Sequence, residues 1–286
     1  MSLRGKQPEA VDKRLKMLLF GAAGSGKSTA CLGFPAPYVV DCERGIEHAQ
    51  YLNKLKRNGG ALFQTSSFDE LMNEVKALLT EKHPYKTLVI DPLTTIYNEL
   101  VDQGAVKGDE ATAFGRHYQA ANLKIKRLLQ LLTRLDMSII ITSHAKNEYG
   151  ANMSVLGSTY DCYKKLDYLF DLVIEIQKLG KTRTGVVRKT RIATFDEYEE
   201  FEFSYDAIAA KYNRDILEKE SVSEILATPE QLKEIKRLIA LLKVPEDAIE
   251  KWCAKANCTQ LEDMNSEHIE KCIANLQEKI NAKESK

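Results

Sequence analysis

Gly21-Ala22-Ala23-Gly24-Ser25-Gly26-Lys27-Ser28 places three glycines, a lysine and a hydroxyl at the spacing that wraps backbone around phosphate oxygens. Glycine at 21, 24 and 26 lets the chain turn tightly and aim successive N–H groups at one anion. Lys27 would reach β- and γ-phosphates as a point charge, the Ser28 hydroxyl would ligate Mg²⁺, and Thr29 continues the cradle. A lone glycine-rich string is weak evidence. Here Leu15 to Phe20 reads as a buried strand and Lys27 to Leu32 starts a helix, the setting the loop requires. ATP and Mg²⁺ are the expected cofactors.

Two acids fall where such a site needs them. Asp91 ends the apolar run Leu88-Val89-Ile90, at the sheet edge where open α/β proteins bind ligands, and is expected to hold Mg²⁺ through a water. Residue chemistry alone also allows an ordinary helix N-cap before Leu93. Hydrolysis needs a group that activates water. Glu43 is the first candidate, because it follows Val39-Val40-Asp41, a strand expected next to the P-loop strand. Glu47 is the alternative, and a solvated acid at a helix start is the other reading of Glu43.

The elements that must position these residues alternate strand and helix over the first two hundred residues, the pattern of a mostly parallel sheet. Strands are predicted at Tyr38 to Asp41, Ala61 to Gln64, Thr87 to Asp91 and Met137 to Thr142. Phe68 to Thr80 carries a helical apolar stripe, and Tyr118 to Leu135 is a long helix. Leu172 to Gln177 and Val186 to Ile192 read as two strands joined by a short basic turn, with an edge strand at Phe201 to Phe203. Lys211 to Ser221 is polar and reads as a connector; from the N-cap Thr228-Pro229 onward about three helices follow. The expected division is a short segment at 1–13, a core at 14–210, a linker at 211–226 and a helical domain at 227–286.

Composition sets the outer limits. The 286 residues are 44% hydrophobic and 29% charged, an ordinary globular balance, with 41 Lys and Arg against 41 Asp and Glu. No apolar run approaches the roughly 20 residues of a membrane span, and the start has no signal-peptide core, so no membrane partner is expected. Net neutrality leaves nucleic-acid binding open, since that depends on where basic residues cluster. The six cysteines read as free thiols. Cys253, Cys258, His268 and Cys272 have zinc-ligand types at loose spacing, and the helical stretch favours small core residues instead.

The P-loop, the strand ending Asp41-Cys42-Glu43, then Leu88-Val89-Ile90-Asp91, then Ile139-Ile140-Ile141-Thr142-Ser143-His144, together resemble the RecA-type recombinase core. Within that superfamily the chain most resembles the compact RecA-like ATPases of phage recombination systems, the Sak group, over about residues 14 to 205. The resemblance implies an α/β RecA-like P-loop fold with a mostly parallel central sheet, plus a small all-helical C-terminal domain. It implies that the acid matching Glu43 activates the hydrolytic water, and that Ser143 and His144 sense the γ-phosphate. RecA carries a glutamine where this chain has His144. In Val186-Val187-Arg188-Lys189-Thr190-Arg191-Ile192, Lys189 and Arg191 match basic residues that reach a neighbouring subunit's ATP, which implies a homo-oligomer. A basic strand face is the other reading of that pair.

The same resemblance places single-stranded DNA contacts in loops near 103–118 and 145–159. The first holds Lys107, Arg116, His117 and Tyr118, opposed by Asp109 and Glu110; the second holds Lys146, Asn147, Tyr149 and Asn152. Neither loop is strongly basic, so the DNA expectation comes from the resemblance. The tail from Thr228 to Lys283 resembles a helical module at the C-termini of phage recombination proteins, which implies a protein partner such as a single-strand-binding protein. About a dozen residues precede the first strand, so the filament-building N-terminal arm of recombinases is expected to be missing. The implied role is a Mg²⁺-dependent ATPase assisting recombination or annealing in the bacterial host cytoplasm. A nucleotide-gated loader and a helicase-type motor are the rivals.

Overall fold

The computed structural model describes residues 11–106, 115–149, 152 and 154–284. Its strands are β1 (Lys16–Gly21), β2 (Pro37–Asp41), β3 (Ala61–Gln64), β4 (Thr87–Asp91), β5 (Ser138–Tyr149), β6 (Val155–Tyr160), β7 (Leu172–Leu179), β8 (Thr182–Thr190) and β9 (Glu200–Glu202). The helices are α1 (Lys27–Cys31), α2 (Ala49–Arg57), α3 (Phe68–Thr80), α4 (Leu93–Ala105), α5 (Arg116–Arg134), α6 (Tyr205–Tyr212), α7 (Arg214–Glu218), α8 (Pro229–Leu242), α9 (Glu246–Lys255) and α10 (Ser266–Glu284).

The sheet runs β3-β2-β4-β5-β1-β7-β8-β9, with β6 hung on β5. From β3 through β7 all neighbours are parallel; β8, β9 and β6 are antiparallel. Strand alternation sorts the core into two layers. Leu18, Phe20, Leu88, Ile90, Ile139 and Ile141 face α3, α4 and α5. Leu19, Val39, Val89 and Ile140 face α1, α2 and α6. Both faces are therefore covered, which is why the central strands read as unbroken apolar runs.

Three placements differ from the sequence reading. The β2 strand does not lie next to β1, because its crossover passes over β5 and β4 and pairs it with β4 instead, Asp41 beside Asp91. The segment expected as a second loop is largely paired. Beyond His144, β5 leaves β1 and continues against β6, anchored where Tyr160 and Ala145 pack on the core and Asp161 N donates to His144 O at 2.8 Å. The polar connector carries α7, since Leu217 is fully buried and the Arg14 guanidinium donates to the carbonyls of Ile216, Lys219 and Glu220.

The C-terminal helices enclose their own cluster around Ile235, Leu238, Met264, Ile269 and Leu276. Cys253 and Cys258 are buried in it, and His268 Nδ1 lies 2.7 Å from Asn265 Oδ1. Among the described residues no group of three or more His, Cys, Asp or Glu could hold a metal, and no helix is long and apolar enough to cross a membrane. Asp263 fixes this tail to the body: its buried carboxylate takes Arg127 Nε at 2.7 Å, Arg127 Nη2 at 3.0 Å and Lys76 Nζ at 2.8 Å.

Candidate active site

The P-loop leaves β1 in the conformations glycine permits. Gly24 and Gly26 have φ of 74° and 95°, the left-handed region. A Cβ on Gly21 would lie 2.4 Å from the Ile176 carbonyl oxygen, so only glycine lets β1 and β7 run this close. Lys27 Nζ donates to the carbonyls of Gly21 at 2.8 Å and Ala22 at 3.1 Å, folding back over the loop. Burial lowers the Lys27 pKa while Asp91 and Glu43 pull it back up, so the ammonium sits between two acids in a shielded place. Ser25 Oγ is buried with no partner among the described residues. Ala22, Ala23 and Gly24 are exposed along the loop, and Ser28 and Thr29 are half-buried at the start of α1.

Parity then gathers the polar ends of three strands on the α1 side. Asp41, Asp91 and Thr142 each lie two residues beyond Val39, Val89 and Ile140, which face that layer, and His144 follows Thr142 by two. Asp91 is buried, and its carboxylate accepts from the hydroxyls of Ser28 and Thr142. Burial pushes its carboxyl up, against the pull of those hydroxyls and Lys27, with Asp41 adding to the rise. A buried acid under-compensated by its neighbours, with the Ser28 hydroxyl on it, fits an oxygen-seeking divalent cation. The orphaned Ser25 Oγ and the Lys27 ammonium, held only by carbonyls, fit an anion. Both halves of a Mg-nucleotide therefore have residues suited to them.

Asp41 lines the same cleft and also organises the turn beside it. Its carboxylate accepts the N–H groups of Glu43 at 3.3 Å, Gly45 at 3.1 Å and Ile46 at 3.1 Å, which closes the turn that presents Glu43. Glu43 Oε1 accepts from Thr95 Oγ1 at 2.6 Å and lies 3.1 Å from His144 Nε2. Gly24, Lys27, Ser28, Glu43, Asp91 and His144 line one cleft of about 400 Å³. Glu47 instead accepts from Gln64 at 3.2 Å and does not line it. Ser143 is fully buried, held by Thr94 Oγ1 at 3.0 Å and Asp161 N at 3.1 Å, and does not line the cleft either.

Lys189 and Arg191 lie outside that cleft. Lys189 Nζ donates to the Asp167 carbonyl and rides 5.7 Å above the Tyr168 ring; Arg191 Nη1 is 3.9 Å from Asp171 Oδ1. Burial chiefly lowers the Lys189 pKa, with Asp167 opposing and Arg191 adding to the fall. The pair shares a surface, as the alternation predicts, on a different part of the chain from its own P-loop.

A second cleft, about 850 Å³, opens beside the first between α4, α5 and the segment after β6. Tyr118 is half-exposed in its wall and Tyr97 donates to Asn122 Oδ1 at 3.0 Å; among the described residues Lys126, Lys146, Lys164 and Lys165 line it against a single acid, Asp161. Asp161 is held by Lys146 at 3.1 Å. The β5 strand joins the two clefts, His144 and Ala145 lining the first and Lys146 the second. Thr94 stitches the junction: its hydroxyl donates to Asp161 O at 2.8 Å and accepts from His144 N at 3.0 Å. In the first expected DNA loop, Arg116, His117 and Tyr118 begin α5, whereas Lys107, Asp109 and Glu110 lie outside the described residues. Asn147 Nδ2 and Tyr149 OH in the second are on the β5 extension, 3.4 Å apart.

Sequence reasoning missed Asp41, Thr94, Thr95 and Thr142. Asp41 was visible as the second acid in Asp41-Cys42-Glu43, and the Thr94-Thr95 pair as hydroxyls just beyond Asp91-Pro92. Nothing local separates them from ordinary strand-end and helix-start residues.

No curated protein matches the chain. Seventy-two chains of solved structures do, among them a crystal structure of the RadB recombinase, 18% identical over 65% of this chain and 84% of that one, with a TM-score of 0.44. The AAA domain family AAA_24 matches residues 13–238, from just ahead of β1 to within α8. A match of that extent decides the family: the chain belongs to the AAA domain family and is an ATPase.

Proposed function

We propose that this ATPase is Mg²⁺-dependent, binds single-stranded DNA and assists homologous recombination or strand annealing, in the manner of the Sak-type phage ATPases it resembles. The observation that supports this best is the lysine- and tyrosine-lined cleft joined through β5 to the P-loop cleft. Among the described residues four lysines against one acid suit a phosphate backbone, and an exposed tyrosine ring suits an unstacked base.

In this reading Lys27 and the P-loop amides hold the phosphates, and Ser28 and Asp91 hold Mg²⁺, which supplies charge neutralisation at the transferring group when bound. Glu43, oriented by Thr95 and His144, accepts the proton of the attacking water. His144 feels the state of the cleft and passes it along β5, through Thr94, to Lys146 and Asp161. Lys189 and Arg191 act on a neighbouring subunit's nucleotide, so the active form is a homo-oligomer. Residues 14–210 form the catalytic unit and residues 227–286, with their own apolar cluster, a partner-binding domain for a single-strand-binding protein in a bacterial host cytoplasm.

The deciding experiment is the ATPase rate with and without single-stranded DNA, read beside the mass in solution. Strong stimulation by single strands, reduced by Lys164→Glu with Lys165→Glu, is expected. Stimulation by a protein partner alone would replace this reading with a loader; unwinding of duplex would replace it with a motor.

A further inference from the structure

The acids of the cleft all approach the P-loop from one side of β1, through β5 and β4. On the other side stands β7, and its hairpin with β8 continues past the last β1 pair, Phe20 with Glu175. Residues 176–185 thus run alongside the phosphate loop, and Arg183 is the cation they bring to it. Arg183 Nε lies 2.2 Å, and Cζ 3.2 Å, from the place a Cβ on Gly26 would occupy. Gly26 is required by its φ of 95°, and its missing side chain leaves the space in which the arginine rests.

Arg183 has no counter-charge among the described residues. Among the described residues its side chain has no ion pair or hydrogen bond, and its Nε is shielded from solvent without an acceptor. A second cation stands on this flank: Lys54 donates to Thr29 O at 2.8 Å, and its pKa is lowered chiefly by burial and then by Arg183. Two cations against the loop, one with a shielded unpaired donor, call for an anion that the described residues do not supply. Glu43, Asp91 and Lys27 mark the γ-phosphate end, and the cradle runs from there toward Ser28 and Thr29. An anion beside Gly26 and Thr29 is then the phosphate nearest the nucleoside.

We propose that Arg183 binds the nucleotide of its own subunit, its guanidinium meeting the α-phosphate. This rests on the reading of the P-loop cleft as the nucleotide site. It assigns the β7–β8 hairpin to nucleotide affinity in cis, apart from any role of β8's far end toward a neighbour. Arginine suits the position because its fork can engage two phosphate oxygens at once.

The test uses equilibrium binding of fluorescent ATP and ADP to the full chain, with AMP as competitor. Arg183→Ala should weaken ATP and ADP alike by about tenfold, abolish competition by AMP, and raise KM far more than it lowers kcat. Arg183→Lys should recover part of the affinity, and the nucleotide-free melting temperature should stay near that of the parent. Unchanged binding in Arg183→Ala overturns the proposal, as does loss of affinity together with the nucleotide-free melting temperature and no recovery in Arg183→Lys. Lys27→Ala separates the underlying reading: normal binding there removes the nucleotide site itself, whereas lost binding there with normal binding in Arg183→Ala removes only the arginine.

Discussion

The Glu43 carboxylate and the His144 imidazole meet at 3.1 Å, joining the turn after β2 to the point where β5 leaves the parallel sheet. Thr95 Oγ1 donates to the same carboxylate oxygen at 2.6 Å from the first turn of α4. Three elements far apart in sequence therefore fix one exposed carboxylate over the phosphate loop. An acid with no such task would keep its rotamer freedom, since holding it costs side-chain entropy.

Glu43→Gln preserves the shape and the bond from Thr95 but removes the carboxylate proposed as the base. Nucleotide affinity should hold while turnover falls at least tenfold, toward the roughly 10²- to 10⁴-fold range of general-base loss. Thr95→Ala leaves the carboxylate in place but loose, so a loss of a few-fold is expected. Steady-state ATPase rates beside equilibrium nucleotide binding check both. Turnover of Glu43→Gln at the parental rate would return Glu43 to the class of surface acids.

Arg191 is nearly half exposed, and among the described residues its ion-pair partner is Asp171, at 3.9 Å. If composite sites form, Arg191→Ala and Glu43→Gln are each impaired alone yet complementary. Mixing them creates some interfaces with a parental Glu43 facing a parental Arg191. Activity of the mixture above the mean of the two variants is the expected result; a strictly additive rate means no residue is shared between subunits.

Much of this arrangement could be read in the sequence because it depends on local rules. The P-loop announces itself by glycines at left-handed positions, and β1, β4 and β5 by apolar runs buried on both faces. Asp91 is legible because it ends such a run. Glu43 was found by its strand, although that strand lies beside β4 and not β1, because crossover order is a property of the whole sheet. The partners Thr94, Thr95 and Asp161 were not legible, and Ser143 was named from the resemblance but not as their partner. Their hydroxyls and amides meet through contacts 18 to 67 residues apart, with no local periodicity to signal them. Arg183 was hidden for the same reason: it was part of a basic turn until β7 and β8 carried it past the end of β1.

Asp263 is the most heavily paired carboxylate between the tail and the body. Burial pushes its carboxyl up, but hydrogen bonds from Arg127 and Lys76 outweigh that and hold it below the ordinary carboxylate range. Its stabilising share is therefore present above the unfolded pKa of about 3.8 and lost as pH falls through the lower folded value. Asp263→Ala leaves Arg127 and Lys76 facing a buried gap, and breaking such a pair typically costs about 3–5 kcal/mol. Cleavage in the 219–228 segment by a protease should accelerate, and the urea midpoint should fall. Unchanged proteolysis and midpoint would mean the tail is held by its apolar contacts and its other hydrogen bonds, such as Asn257 Nδ2 to Thr133 Oγ1 at 2.9 Å, without the Asp263 carboxylate.

Lys16 opens β1 with its side chain buried, Nζ donating to Thr133 O at 3.2 Å. Burial chiefly, then Lys13, brings its pKa down to about 8 from 10.5, with Asp171 opposing. Between those two values the unfolded chain holds a proton that the folded chain has released, so stability gains from this group as pH rises through the window. Below about pH 8 both states are protonated, and the buried ammonium is a constant cost. Lys16→Met keeps the apolar stem and removes the charge, so it should stabilise the protein near pH 7 by about 1–2 kcal/mol once solvent screening is allowed for. That advantage should shrink toward zero by about pH 10. Tyrosine and cysteine titrations also act in alkali, but they act on both proteins and cancel in the difference. Urea unfolding of the pair at the two pH values gives that difference directly. A gap that stays constant would show that Lys16 is neutral in neither state, and that the Thr133 carbonyl and Asp171 offset its burial in full.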